Sequence, residues 1–379
     1  MIVMTPPLHG VRVLDLTRLL PGAICTLMLA DLGADVIKIE NPESGDYARW
    51  TPPLIDGYGA YFHATNRNKR SVTLDLKRED GRAALHKLAA SADVLIESFR
   101  PGVMARLGCD YPTLSAVNPR LIYCALSGWG QTGDYAARSG HDLNYAALSG
   151  LIGEMNVPQP LGGQVADVGG AYTAAAGIMA ALFRRERTGD GTLLDIALHE
   201  SALAFASYAW VEAVTHADSA LPRGVLSGRF ACYNVYKTRD RQPVALAALE
   251  PRFWANFCAA VERLDLVTDY MLPDRQRYLV DEVTEIFALR TADEWDAALE
   301  DADCCYSRVY TLHDVSGDPH VRSRGSLDVG ANGVPYLRTP IRMHGVEPMR
   351  GTAPGFGEHT HEVLRAAGLT DDEIARLTE

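Results

Sequence analysis

Four acidic or imidazole side chains sit where reactive groups would be useful. His141 and Asp142 follow a glycine in RSGHDLNYAALSG (residues 138–150), Asp167 lies between glycine pairs in GGQVADVGGAY, and Glu250 ends the apolar run VALAALE before Pro251. The histidine can serve packing, proton transfer or metal ligation. Metal is the weakest of these, since no HExxH or His-rich partner lies near it. The adjacent Asp142 does not make a dyad by itself, because neighbouring side chains usually point apart. Asp167 either caps the helix that follows or faces a pocket, where burial would raise its proton affinity into a useful range. Glu250 either starts a helix or orients an imidazole. Glycines at 128, 130, 133 and 140 allow a ligand close approach to the backbone.

Basic residues form a second group. Arg67, Lys69 and Arg70 precede the run SVTLDL, with Asn66 and Asn68 between them, and Arg100 follows VLIESF. Ligands of open α/β sheets gather beyond the carboxyl ends of strands, which favours Arg100 as a phosphate contact. Lys38, in VIKIE, either reaches phosphate from a strand edge or snorkels out of the sheet. Lys77 and Lys87 have ordinary helix-surface surroundings.

The elements that must hold these residues alternate strand and helix. Strands are expected at 11–16, 35–40, 71–76, 92–98 and 121–128, with helices from Pro21 to Gly33, around 78–90, at 101–107 and at 168–187. That order predicts an open, mostly parallel α/β domain. The segment 41–65 reads as a long loop with a surface or site role. No GxGxxG follows the first strand, so the layout does not imply a nicotinamide cofactor. After 192–210, a strand running into a long helix, 212–229 reads as a crossing loop. YNVYKTRDRQPVALAALE then reads as an antiparallel hairpin, and that change of texture sets a smaller domain at 225–330. A closing helix is expected within 357–378.

Composition bounds the rest. The chain has 379 residues, 47% of them hydrophobic, and a formal net charge of −12. That charge argues against a nucleic-acid surface and leaves room for a small anion held by a few arginines. Seven cysteines without CxxC spacing favour reduced thiols and a cytoplasmic setting. MIVMTPPLHGVRVLDL lacks the pattern of a signal peptide, and the apolar stretches at 18–30 and 171–183 read as too short or mixed for a membrane span.

Five ordered segments carry a resemblance. GVRVLDLTRLLPGAICTLMLADLGADVIKIENP, NRNKRSVTLDLK, ADVLIESFRPGVMARLG, NPRLIYCALSGWGQTG and TGDGTLLDIALHE look like the class III CoA-transferase superfamily, and in particular its 2-methylacyl-CoA racemase branch. The match covers nearly the whole chain, more loosely after about 325.

The resemblance implies a large Rossmann-like α/β open-sheet domain, residues 1–224 and 331–379, and a smaller α+β domain, 225–330, in an interlocked homodimer. Its site would lie between a large domain and the partner's small one. No cofactor would be bound permanently; coenzyme A would enter as part of the acyl-CoA thioester. The CoA nucleotide would meet Lys38, Arg67, Asn68, Lys69 and Arg100, and the acyl group would reach the His141 loop. The racemase branch uses the histidine of GHDxNY, an aspartate and the glutamate of an EPxF motif, here His141, Asp167 and Glu250. The transferase alternative moves CoA between an acyl-CoA and a free carboxylic acid through an intermediate on the same Asp167. Its small-domain glycine-rich loop is reduced here to isolated glycines in GVLSGRFACYNVY. Arg229 and Arg308 stand where racemases carry small residues and proline; either they suit a substrate with a second carboxylate or they are differences that face solvent.

Overall fold

The computed structural model describes residues 4–215, 224–347 and 349–378. Six parallel strands form the main sheet: β1 Arg12–Leu16, β2 Asp35–Glu40, β3 Lys69–Thr73, β4 Val94–Glu97, β5 Ile122–Ser127 and β6 Thr192–Ala197. Their spatial order is β3-β2-β1-β4-β5-β6. The direction of winding therefore reverses between β1 and β4, and a doubly wound sheet opens a crevice at that point, beyond the carboxyl ends of its strands.

Period-two alternation sends successive side chains to opposite faces. Leu14, Ile37, Val72, Leu95 and Tyr123 pack on one face with the helix Glu79–Ala89 and the closing helices Thr360–Ala366 and Asp371–Thr378. Val13, Val36, Val94, Ile96 and Cys124 pack on the other, beneath α1 (Leu19–Asp31) and α3 (Val165–Thr188). Between those two helices in sequence, the short α2 (Asp142–Leu148) also belongs to this face through Tyr145.

Helix α3 is longer than the apolar stretch 171–183 suggested. It has 24 residues, a mean hydropathy of 1.4 over its most apolar window, and half of that window buried. Gly169, Gly170, Ala171, Ala174 and Ala175 form its buried side, and small residues let it lie close: a Cβ on Gly170 would come 2.2 Å from Leu198 Cδ2. Segment 41–65 is not a plain loop. It holds the hairpin Leu54–Ile55/Tyr58–Gly59 and a helix, Ala60–Thr65.

The chain divides into two compact units. One comprises 4–149, 161–204 and 320–378 with the main sheet; the other comprises 150–160 and 205–319, less the undescribed 216–223. The second contains the expected hairpin, Tyr233–Lys237 with Pro243–Ala247, extended by Tyr306–Arg308 into an antiparallel sheet. Its core is aromatic, around Trp254, Phe257, Phe287 and Trp295. Segment 212–215 continues a helix, Ser207–Thr215, rather than opening a loop; residues 216–223 of that expectation lie outside the described chain.

Candidate functional site at the sheet's carboxyl edge

Helix α2 begins at the glycine loop that follows β5. His141 is its N-cap, with extended backbone, φ −128° and ψ 173°. The His141 amide donates to Asn144 Oδ1 at 3.0 Å, and its carbonyl accepts from the amides of Asn144 and Tyr145. Tyr145 turns back and donates its hydroxyl to Gly140 O at 2.7 Å. A Cβ on Gly140 would meet that ring at 2.8 Å, so the glycine before the histidine is needed for this closure. The backbone is thus held by its own helix, and the imidazole remains exposed on a cavity wall.

Asp142 does not form a dyad with its neighbour. Its Oδ1 accepts from the amides of Ala166 at 2.7 Å and Asp167 at 3.1 Å. These are first-turn amides of α3, which have no partner within their own helix. Asp167 is therefore not the cap of α3; its carboxyl is half-buried and lines the same cavity as His141. Burial pushes the Asp167 carboxyl up to about 6, the Asp142 charge adds to the rise, and His141 opposes it.

This cavity measures about 990 Å³. Arg18, Leu19, Arg100, Arg138 and Trp129 also line it, so three guanidiniums face one carboxylate in a chain whose overall charge is negative. Arg100 is exposed at the end of β4. Trp129 stands edge-on to Tyr145, 4.9 Å between centroids, and Asp195 holds the Trp129 loop by accepting from the Gln131 amide at 3.0 and 3.1 Å. Ser127 Oγ and Trp129 Nε1 are buried with no protein partner.

A second, mostly apolar cavity of about 200 Å³ lies at the same strand edge, lined by residues including Leu16, Ile39, Leu74, Lys77 and Val103. Arg18 and Phe99 line both. Arg18 donates to Tyr47 Oη at 3.2 Å, and its guanidinium lies 5.7 Å from the Phe99 ring centroid. Residues 17–18 follow β1 and residue 99 follows β4, so the two cavities meet at the sheet's switch point. Arg18 escaped the sequence reading, although its place after an apolar strand could have suggested it. Lys77, read there as an ordinary surface lysine, is exposed on this cavity's wall.

Several expected phosphate contacts need correction. Lys38 has no exposed surface; its Nζ pairs with Asp46 Oδ2 at 2.8 Å and donates to Thr17 O at 2.9 Å. Lys69 Nζ is equally enclosed, by Asp15, Thr26, Asn66 and the Ala23 carbonyl. Burial alone would raise Asp15, but Lys38, Lys69 and the hydroxyls of Thr17 and Thr26 together hold it down at about 2. An unpaired buried lysine would be neutral or unstable, so these carboxylates are what keep both lysines inside. Arg67 makes a two-point bond to Asp31 and stacks on Tyr336, 4.3 Å away. Asn68, in the left-handed region at φ 65°, donates to the same Asp31 at 2.7 Å. Both stand before β3, at the amino-terminal edge of the sheet rather than the carboxyl edge. Arg70 likewise pairs with Asp35.

In the other unit, Glu250 is exposed at the N-cap of the helix Pro251–Ala260 and its side chain makes no capping bond. Arg308 is bound by Asp293 and, at 2.6 Å, Asp296, which leaves it no free charge for a substrate carboxylate. Arg229 is exposed beside Gly224. Among the described residues no group of three His, Cys, Asp or Glu side chains is arranged to hold a metal.

The chain is 34% identical to the alpha-methylacyl-CoA racemase of Homo sapiens over 98% of its own length and 96% of the relative's. It is also 34% identical to a succinyl-CoA:mesaconate CoA-transferase of Haloarcula hispanica, covering 96% of each. A crystal structure of a CAIB/BAIF family protein from Brucella suis superposes with a TM-score of 0.83 at 32% identity, covering 96% of this chain and all of that one. The profile of CoA-transferase family III matches residues 8–360. With a doubly wound sheet whose switch point carries cationic, carboxyl-bearing cavities, and with relatives aligned from end to end, the chain belongs to CoA-transferase family III and is an enzyme of acyl-CoA thioesters.

Proposed function

We propose that the protein interconverts the R and S forms of a 2-methylacyl-CoA by removing and returning the proton beside the thioester carbonyl. The carrying observation is that His141 and Asp167 line one cavity, with the Asp167 carboxyl raised to about 6. A group poised near the working pH serves both as donor and as acceptor. His141 takes the proton from one side of the α-carbon, charge passes to the thioester oxygen, and neutral Asp167 delivers a proton to the other side. The roles reverse for the opposite isomer. Glu250 of a second subunit orients the imidazole and supports its charged form. Exposure of Tyr208, Trp210, Val211 and Val214 along one helix with no buried residue supports a homodimer.

In this reading the nucleotide end of CoA occupies the smaller cavity, near Arg18 and Lys77. Its phosphates meet Arg100, and the acyl end enters the larger cavity. The family name and the relatives named as transferases give more support to a second reading. There the ionised Asp167 attacks the thioester carbonyl and CoA thiolate leaves; the thiolate then attacks the aspartyl carbonyl of the acyl–aspartyl anhydride, releasing the first acid and forming an aspartyl-CoA thioester. The incoming carboxylate attacks that thioester to give a second anhydride and frees the thiolate again, which takes the new acyl group and restores Asp167. Incubating (R)-2-methyldecanoyl-CoA in deuterated water separates the two. Deuterium at C2 with loss of configuration supports racemisation. Retained configuration without label, with CoA passing to an added carboxylic acid, would replace it with transfer.

A further inference from the structure

Leu19 opens α1 in the left-handed region, with φ 58°. In that conformation a Cβ crowds the following carbonyl, and a large apolar residue stays there only where its surroundings hold it. The Leu19 side chain is 45% exposed and forms part of the wall of the larger cavity. A surface that is strained and faces the reaction cavity needs a cause.

The cause lies directly beneath it. Asp46 Oδ1 accepts from the Leu19 amide at 3.2 Å and from the Ala48 amide at 3.0 Å. Asp46 Oδ2 pairs with Lys38 Nζ at 2.8 Å, and the two side chains are 1% and 0% exposed. Lys38 also donates to the Thr17 carbonyl at 2.9 Å, and Asp15 Oδ1 accepts from both the amide and the hydroxyl of Thr17. One enclosed cation and two carboxylates thus grip residues 17 and 19 from below. Arg18, between them, lines both cavities.

We propose that the buried Lys38–Asp46 pair is a positioning device that keeps Leu19 left-handed at the end of the Thr17–Leu19 turn, fixing Leu19 as a wall of the acyl cavity and Arg18 at the junction. Lys38 has no surface to offer a ligand and acts through Asp46 and Leu19. The assignment of an acyl group to that cavity rests on the function proposed above.

The test is a double-mutant cycle of Asp46→Ala with Leu19→Gly, read as KM and kcat for 2-methyldecanoyl-CoA. Glycine adopts the left-handed conformation at no steric cost, so it makes the brace dispensable. Asp46→Ala is expected to raise KM about tenfold in the wild-type background and about twofold or less in the Leu19→Gly background. An equal loss in both backgrounds overturns the proposal, because a pair that serves stability alone does not distinguish them. If Asp46→Ala does not fold, Asp46→Ser, which keeps a shorter acceptor, takes its place in the same cycle. Hydrogen exchange at the Leu19 amide gives a readout free of turnover: protection in the wild type that falls on Asp46 substitution supports the brace, and an unprotected wild-type amide removes it. Should the wild type neither bind nor turn over the acyl-CoA, the functional reading fails, while the exchange measurement still decides the brace.

Discussion

Asp142 Oδ1 accepts from the Asp167 amide at 3.1 Å, so the residue after His141 holds the backbone of Asp167, the other member of the proposed pair. A single carboxylate thereby sets α2 against α3 and also leaves its negative charge beside the Asp167 carboxyl. The two effects separate by mutation. Asp142→Asn retains an acceptor for the α3 amides but removes the charge, so the Asp167 carboxyl should titrate below about 6. Asp142→Ala should in addition cost about 1 kcal/mol through the lost cap. Carbon-13 NMR of labelled aspartate would follow the titration, and an unchanged Asp167 curve in Asp142→Asn would refute the electrostatic link.

Burial of Asp167 has a sign that stability measurements can read. Its ordinary value is 3.8 and its folded value about 6. Below 3.8 both states carry the proton and folding is not penalised. As pH rises to about 6 the unfolded chain loses the proton first, so the folded state is progressively disfavoured. Asp167→Asn should therefore match the wild type at low pH and exceed it by roughly 1–2 kcal/mol at pH 8, discounted for the carboxyl's partial exposure. The same variant should lose α-proton exchange. Denaturant melts at several pH values check the first statement; a stability difference that does not change with pH would sink it.

The basic residues divide by role. Arg100→Ala and Lys77→Ala should weaken free CoA and every acyl-CoA alike, by about five- to fiftyfold, because a charge-assisted contact to the common nucleotide is lost. Lys69→Met should instead strip the enclosed Asp15 of its ion-pair partner, leaving it only the Thr17 and Thr26 bonds and the field of Lys38, and cost about 3–5 kcal/mol. Isothermal titration with CoA and urea unfolding, run on the same variants, distinguish the two classes. A folded Lys69→Met protein with normal stability and lost CoA affinity would reverse this division.

The difference between those lysines was not legible in the chain. The parallel strands were, since strands covered on both faces are near-continuous apolar runs such as VLIE and IYCALS. Lys38 interrupts such a run and Lys69 opens a strand, and whether a lysine there emerges or stays inside depends on Asp15 and Asp46, brought in by the fold. The same blindness set β3 two residues late: the strand starts at Lys69, not Ser71. The resemblance, through GHDxNY, pointed to His141, but only the structure shows that Asp142 serves the next helix. Segment 41–65 reads as a loop in the sequence because its two-residue strands and six-residue helix are too short for a period to emerge.

Gly128 tests how tightly the His141 loop is built. A Cβ there would stand 2.2 Å from Tyr145 Oη and 2.6 Å from Tyr145 Cζ, in a residue that is 6% exposed and edge-on to Trp129. The ring cannot swing away without breaking its bond to Gly140 O, and Gly140 precedes the histidine. Gly128→Ala should thus destabilise the protein by about 1–3 kcal/mol through overpacking and disturb turnover together with stability. Tyr145→Phe removes the nearest atom and should return part of the stability to the double variant, with a coupling of about 0.5–1 kcal/mol. Turnover should not return with it, since the tether to Gly140 is gone. Thermal melts and initial rates on the four proteins of this cycle decide the point, and additive losses of stability would mean that the two residues do not meet.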